Sequence, residues 1–266
     1  MSHRTRGTMA LKITELRYGK LWDRKELILA FELYCRIPFQ KTKANNPEVI
    51  NLAKILGRTP ASVARKLGNF GAFDPALQSL KIKGLTHTSK MDKEIWNEFN
   101  SDWNGLVLEA DRLKTKFSIA HKPDEYLRKP KGPSEIKRLT KQRVHQTFFR
   151  ETVLSSYEST CCVSGLSVRE CLIASHIVPW SEEEKFRADP TNGLCLSATF
   201  DRLFDSGLMT ITKDLIIRFS PILMKFKNSV SQELLCCYNE KSIKKPYRFL
   251  PGKDKLEWHY QNRFKG

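Results

Sequence analysis

Between Cys161 and Ile211 lie residues that are hard to explain as ordinary core. His176, in Ser175-His176-Ile177, ends the apolar run Leu172-Ile173-Ala174. Asn192, in Asn192-Gly193, precedes Leu194-Cys195-Leu196, and Asp201 and Asp205 follow four apart. A neutral imidazole can take a proton from water near pH 7. Carboxylates are hard oxygen donors suited to Mg²⁺ or Mn²⁺. Hydrolysis of a phosphodiester needs both functions, an activated water and a cation that takes up charge developing on the phosphate. Each residue alone has an ordinary reading. A histidine after an apolar strand is often partly buried and satisfied, Asn-Gly is a common turn, and Asp205 before Ser206-Gly207 fits a helix end. Together and in this order they point to a small metal-dependent nuclease site.

The elements that must position these residues follow from the pattern. Strand, long loop, strand and a helix starting near Ser197 put His176 at a strand end, and Asp201 and Asp205 on one helical face. The stretch resembles the HNH nuclease motif, a β-hairpin followed by an α-helix around one metal ion. It is closest to the branch with SHI-P-W, NGL-L and D-x-x-FD-x-G, here SHIVPW, NGLCL and DRLFDSG. His176 matches the first histidine and Asn192 the asparagine. Asp201 stands where the last histidine is usual, Asp205 matches a further ligand, and Ser175 replaces the usual ligand before His176. The resemblance implies His176 as general base and Asn192 as the residue that orients it. It also implies one divalent metal per site held by Asp201, Asp205 and Ser175, Mg²⁺ first, with Mn²⁺ or Ni²⁺ as alternatives. The expected reaction leaves 5′-phosphate and 3′-hydroxyl ends on DNA, in a prokaryotic restriction or phage-defence setting. One hairpin site cuts one strand, so double-strand cleavage would call for a homodimer. Two other readings stay open. Ser175 and the absent histidine at 201 suit a DNA-binding protein with an inactive HNH domain, and an RNA- or structure-specific nuclease is the other.

Composition bounds the rest. The chain has 266 residues, room for one large or two small domains. Lys and Arg exceed Asp and Glu by 46 − 29 = 17, a surplus that suits a polyanion such as double-stranded DNA. No apolar run approaches ~18 residues, so no membrane partner is expected. Residues 1–20 form a basic arm without the apolar segment of a secretory signal, expected to be disordered, and a cytoplasmic location follows. The seven cysteines are odd in number and unevenly placed, which fits reduced thiols. Cys162 is followed by Gly165 where a CxxC partner would stand, and Cys195 lacks one, so structural zinc is not expected.

The expected class is α+β, a helical N-terminal domain joined to a ββα nuclease domain. Residues 21–120 form the helical, DNA-contacting domain, 121–135 a basic linker with Pro123, Pro130 and Pro133, and 136–266 the nuclease domain. Asp23 with Glu26 marks a capping box. Asn46-Pro47 opens a helix that Gly57 closes, and Thr59-Pro60 opens another. The run LAKILGRTPASVARKLGNF resembles helix-turn-helix units of the Myb/SANT kind, with Trp22 in the opening position. Its second helix is expected to expose Ser62, Arg65, Lys66 and Asn69 for DNA contact. One long helix is predicted from about Asp92 to Lys114, with Trp96, Phe99, Trp103, Leu106, Ala110 and Leu113 as its buried stripe. RVHQTFFRETVLSSY resembles the helix preceding the hairpin in this HNH branch. Arg143, Gln146 and Arg150 match its polar positions and are candidates for DNA contact, while His145 beside them reads as solvated. A hairpin around Lys213-Asp214, a helix near residues 231–238 and a last helix in the tail complete the chain. His259 in that tail reads as structural or surface.

Overall fold

The computed structural model describes residues 17, 19–82, 88–117, 133–226, 232–233 and 237–266. Most of the arm, most of the linker and much of the helix expected near 231–238 lie outside these. The N-terminal region is helical: α1 (Arg24–Arg36), α2 (Pro47–Leu56), α3 (Pro60–Gly71), α4 (Pro75–Ser79), α5 (Lys90–Phe99) and α6 (Trp103–Lys116). The capping box forms, with Glu26 N donating to Asp23 at 3.0 Å and Asp23 N to Glu26 at 2.9 Å. Residues Glu26 to Cys35 of α1 are all buried, so α1 is the central helix that the others wrap. Burying Glu26 and Glu32 demands partners. Arg58 grips Glu26 through two bonds of 2.8 Å and stacks on Trp22. Burial pushes Glu32 up, but Arg36 and Lys114 outweigh it and hold the carboxyl at about 2.

Two expectations fail here for local reasons. The long helix is broken: Asp102 caps a new one, accepting from Gly105 N at 2.8 Å. The six stripe residues stay buried across the break, because the core and not helical continuity holds them. On α3, Arg65 is exposed and Ser62 half-buried, as a contact surface would have them. Lys66 and Asn69 are instead buried. Lys66 Nζ reaches both oxygens of Asp92 at 2.9 and 3.0 Å, and Asn69 donates to the same carboxylate at 3.1 Å. A buried Asp on α5 takes both side chains away from solvent.

The C-terminal region contains a two-stranded sheet and a following helix, consistent with a small ββα-type module. The helix α7 (Pro133–Ser156) leads into it, Pro133 opening a helix and not ending a linker. Then come β1 (Leu172–His176), β2 (Gly193–Ser197), α8 (Ala198–Asp205), β3 (Met209–Ile211), β4 (Ile217–Phe219) and, in the tail, α9 (Lys253–Asn262). β1 and β2 pair antiparallel with Ser175 opposite Leu194 and His176 opposite Gly193, and β3 pairs with β4. The first hairpin lies between α7, which supplies Phe149, Val153 and Leu154 to its core, and α8, which supplies Phe200 and Phe204. Gly193 is extended backbone and not a turn. A Cβ there would stand 2.3 Å from Val153 Cγ2, so its smallness lets α7 lie directly on the strand.

The two regions share their packing. Phe148 of α7, Ala188 and Phe249 join the N-terminal core. Arg248, 1 % exposed, donates to the carbonyls of Tyr34, Cys35 and Ile37 at the end of α1, and to Ser155 of α7. Carbonyls at a helix C-terminus carry partial negative charge and satisfy the buried guanidinium. Among the described residues no helix is long and apolar enough to cross a membrane.

Candidate active site

β1 ends at His176, and the loop from Ile177 to Asn192 returns the chain to β2. Asn192, fully buried, holds that loop closed. Its Oδ1 accepts from Val178 N at 2.8 Å, its Nδ2 donates to Val178 O at 3.0 Å and Phe186 O at 3.4 Å, and its carbonyl accepts from Ile177 N at 2.8 Å. Asn192 thus ties the start of the loop, at Ile177 and Val178, to its end. It fixes the segment whose next carbonyl, Arg187 O, lies 3.1 Å from His176 Nε2.

That contact sets the tautomer. A carbonyl only accepts, so Nε2 carries the hydrogen and Nδ1 the lone pair. The ring stacks on Phe149 at 3.7 Å and 9°, and meets Trp180 edge-on at 5.6 Å. Burial lowers the His176 pKa to about 4 against a smaller opposing effect of Arg187 O, so the imidazole is neutral at pH 7. Among the described residues Nδ1 has no hydrogen-bond partner. His145, expected to be solvated, is buried against the same Trp180 at 6.5 Å.

His176 lines a cleft of ≈ 240 Å³ with Ile177, Pro179, Asp205, His259 and Arg263. Asp205, the last residue of α8, lines this cleft, whereas Asp201, one turn earlier and near enough to feel its charge, adjoins Ser175. Burial pushes the Asp201 carboxyl up, the Ser175 hydroxyl opposes this and Asp205 reinforces it. Burial likewise raises Asp205, against Arg202 and Arg263. Ser175 Oγ is buried and reaches no hydrogen-bonding geometry with any described partner.

The expected divalent metal is not supported by this donor set. No group of three His, Cys, Asp or Glu residues that could hold a metal ion occurs among the described residues. The reason is local. Ser175 supplies a neutral hydroxyl where a third strong donor would stand, and the next imidazole is already engaged. His259 of α9 is 2 % exposed. Its Nε2 donates to Phe204 O at 3.2 Å, which leaves Nδ1 to accept from the Thr210 hydroxyl at 2.9 Å. The structural reading of His259 thus stands, although it also lines the cleft.

Of the proposed contact residues on α7, Arg150 donates to Leu172 O at 3.0 Å at the start of β1, and Arg143 and Gln146 are half-buried on the same helix. Arg263 was not anticipated. Its signal in the sequence is faint: it is a lone arginine just past the end of the tail helix, four residues after His259. No curated protein matches the chain. Residues 161–212, which hold both strands of the first hairpin, α8 and β3, match the family model described as HNH endonuclease.

Proposed function

We propose that this protein is a nuclease that hydrolyses phosphodiester bonds in DNA, with His176 as general base. One observation carries the reading: a neutral imidazole that lines a cleft and whose Nδ1 has no hydrogen-bond partner among the described residues, in a hairpin and helix that match the HNH endonuclease model. Nδ1 accepts a proton from water, the water oxygen attacks phosphorus, and the P–O3′ bond breaks to leave 5′-phosphate and 3′-hydroxyl ends. The leaving oxygen takes its proton from solvent. A base with a pKa of about 4 is weak. An anionic phosphate bound beside it favours the imidazolium and raises that value, so base strength arrives with the substrate. Asn192 acts through His176, by holding the loop whose carbonyl selects the tautomer.

The surplus of 17 positive charges supports a nucleic-acid substrate. The paired helices α2 and α3, with Arg65 and Ser62 outward, support duplex DNA. Arg143, Gln146 and Arg150 on α7 are proposed to contact phosphates nearer the cleft. A restriction or defence role in the prokaryotic cytoplasm fits such an activity, with two copies needed to cut both strands. The missing third donor favours a second reading, a DNA-binding protein whose HNH unit is inactive. Supercoiled plasmid, incubated in EDTA and in divalent salt with the product ends sequenced, separates the two. Nicking by wild type and none by His176→Ala supports the nuclease. Duplex binding without nicking under every condition supports the second reading, and cleavage confined to RNA would replace the substrate.

A further inference from the structure

Resting on the cleft as a phosphodiester site, we infer that Arg263, carried in by the C-terminal helix, is the cation that receives a nucleic-acid phosphate beside His176. Arg263 lies outside the stretch 161–212 that matches the HNH model, yet among the described residues it is the one cationic residue lining the cleft.

Its placement is built, not incidental. The ring of His259 stacks on Phe204 at 3.7 Å, and its two hydrogen bonds tie α9 to α8 and β3. Arg263 N then donates to His259 O at 2.9 Å, Lys265 N to Gly207 O at 2.9 Å, and the Ser220 hydroxyl to Lys265 O. Gly207 has φ +72°, and a Cβ there would fall 2.0 Å from Arg263 O. The turn after α8 is therefore pressed against the backbone of Arg263 itself. Asp205 and Arg263 reach one cleft from two elements locked together at this point.

The guanidinium is also available. Its Nη2 meets Glu182 Oε1 at 3.1 Å, with both side chains about two-fifths exposed (41 and 45 %). A pair that open to water is weak and screened, so a phosphate can displace it. A guanidinium fits phosphate oxygens in a planar, two-bond geometry. It would offset Asp205, which otherwise repels a phosphate, and take up charge that builds on the oxygens during attack. With no three-donor group among the described residues, this role falls to a side chain.

The test is the salt dependence of duplex binding, read by fluorescence anisotropy of a labelled DNA duplex on the full chain in EDTA. Arg263→Gln should reduce the slope of log K against log salt by about 0.9, the value of one phosphate contact, and Arg263→Lys should restore it. Where wild type nicks plasmid, Arg263→Gln should nick on the order of 100-fold more slowly. An unchanged slope in Arg263→Gln overturns the inference whether or not nicking is seen. So does a wild type that binds no duplex. A wild type that binds but never nicks defeats the hydrolytic reading and leaves the slope to decide. Should Arg263→Gln not fold, Glu182→Gln serves: removing the competing carboxylate should tighten duplex binding, and unchanged affinity overturns the proposal.

Discussion

His176 and His259 sit in nests of the same construction on different elements. Each ring stacks on a phenylalanine at 3.7 Å and 9°, each gives Nε2 to a main-chain carbonyl, and burial lowers each to a pKa of about 4. They differ at one atom. Nδ1 of His259 accepts from Thr210, and Nδ1 of His176 meets no described partner. Burial, stacking and acidity are therefore poor guides to a reactive histidine here, and the uncommitted nitrogen is the guide. The same contrast recurs on α3, where Lys66 is spent on Asp92 and its neighbour Arg65 is open to solvent.

The contrast breaks first in the two alanine variants. His176→Ala should cut nicking by about 10³-fold, within the range of general-base removal, while duplex binding changes only a few-fold. His259→Ala should act through the fold, lowering stability by about 3 kcal/mol for the lost stacking and hydrogen bonds, with DNA-cleaving molecules still present below its reduced melting temperature. Nicking at wild-type rate by His176→Ala would end the assignment of that residue.

On α3 the expected effects divide the same way. Lys66→Ala takes the salt-bridge partner from the buried Asp92, leaving it the donors Asn69 and Ser89 N, and should cost about 3 kcal/mol, seen in a urea melt. Arg65→Ala should leave the melt in place and flatten the salt dependence of duplex binding by about 0.9 per lost phosphate contact. An equal loss of stability in both variants would erase the distinction.

Acid should act on both histidines alike. Their folded pKa of about 4 lies below the ordinary value of about 6.5, so the unfolded chain binds more protons between these values. Their contribution is then fully present above pH 6.5 and is lost as pH falls to about 4. Melting temperature should decline across that window, less steeply in His259→Ala. A flat profile would mean that the two rings are not desolvated as described. The smallest effect concerns metal. With two carboxylates and a hydroxyl in place of a three-donor group, melts in EDTA and in Mg²⁺ should agree within about 1 °C, since only a ligand that binds the folded state shifts the midpoint. A larger Mg²⁺ shift lost in Asp201→Asn would restore the metal expectation.

Much of the local structure was legible because its causes are local. Asp23 with Glu26, Asn46-Pro47, Gly57 and Thr59-Pro60 each fix a helix end through neighbours in sequence, and the aromatic stripe around Trp96 and Trp103 announces burial on either side of the break at Asp102. The candidate site was legible as a motif: His176 ends β1 and Asn192 immediately precedes β2, so the pairing of one hairpin brings their segments together. The motif could not say which carboxylate faces the cleft. Asp201 and Asp205 share a helical face, and only the packing of α8 decides that Asp201 adjoins Ser175 while Asp205 lines the cleft with His176.

By itself, then, the sequence determined several capped helix ends, the strand–loop–strand–helix order of the motif, the basic surplus and the residue types of the candidate site. Those follow from φ preferences, period and charge, which act over a few residues. The tertiary structure alone decided which groups remain chemically open. Asp92 buries Lys66, Thr210 closes His259, Arg187 O assigns the tautomer of His176, and the turn at Gly207 brings Arg263 to the cleft. Each is a hydrogen bond or contact that folding makes, from eleven residues apart for Arg187 and His176 to more than fifty for Gly207 and Arg263. Burial makes satisfaction of polar groups compulsory, and packing chooses the partner.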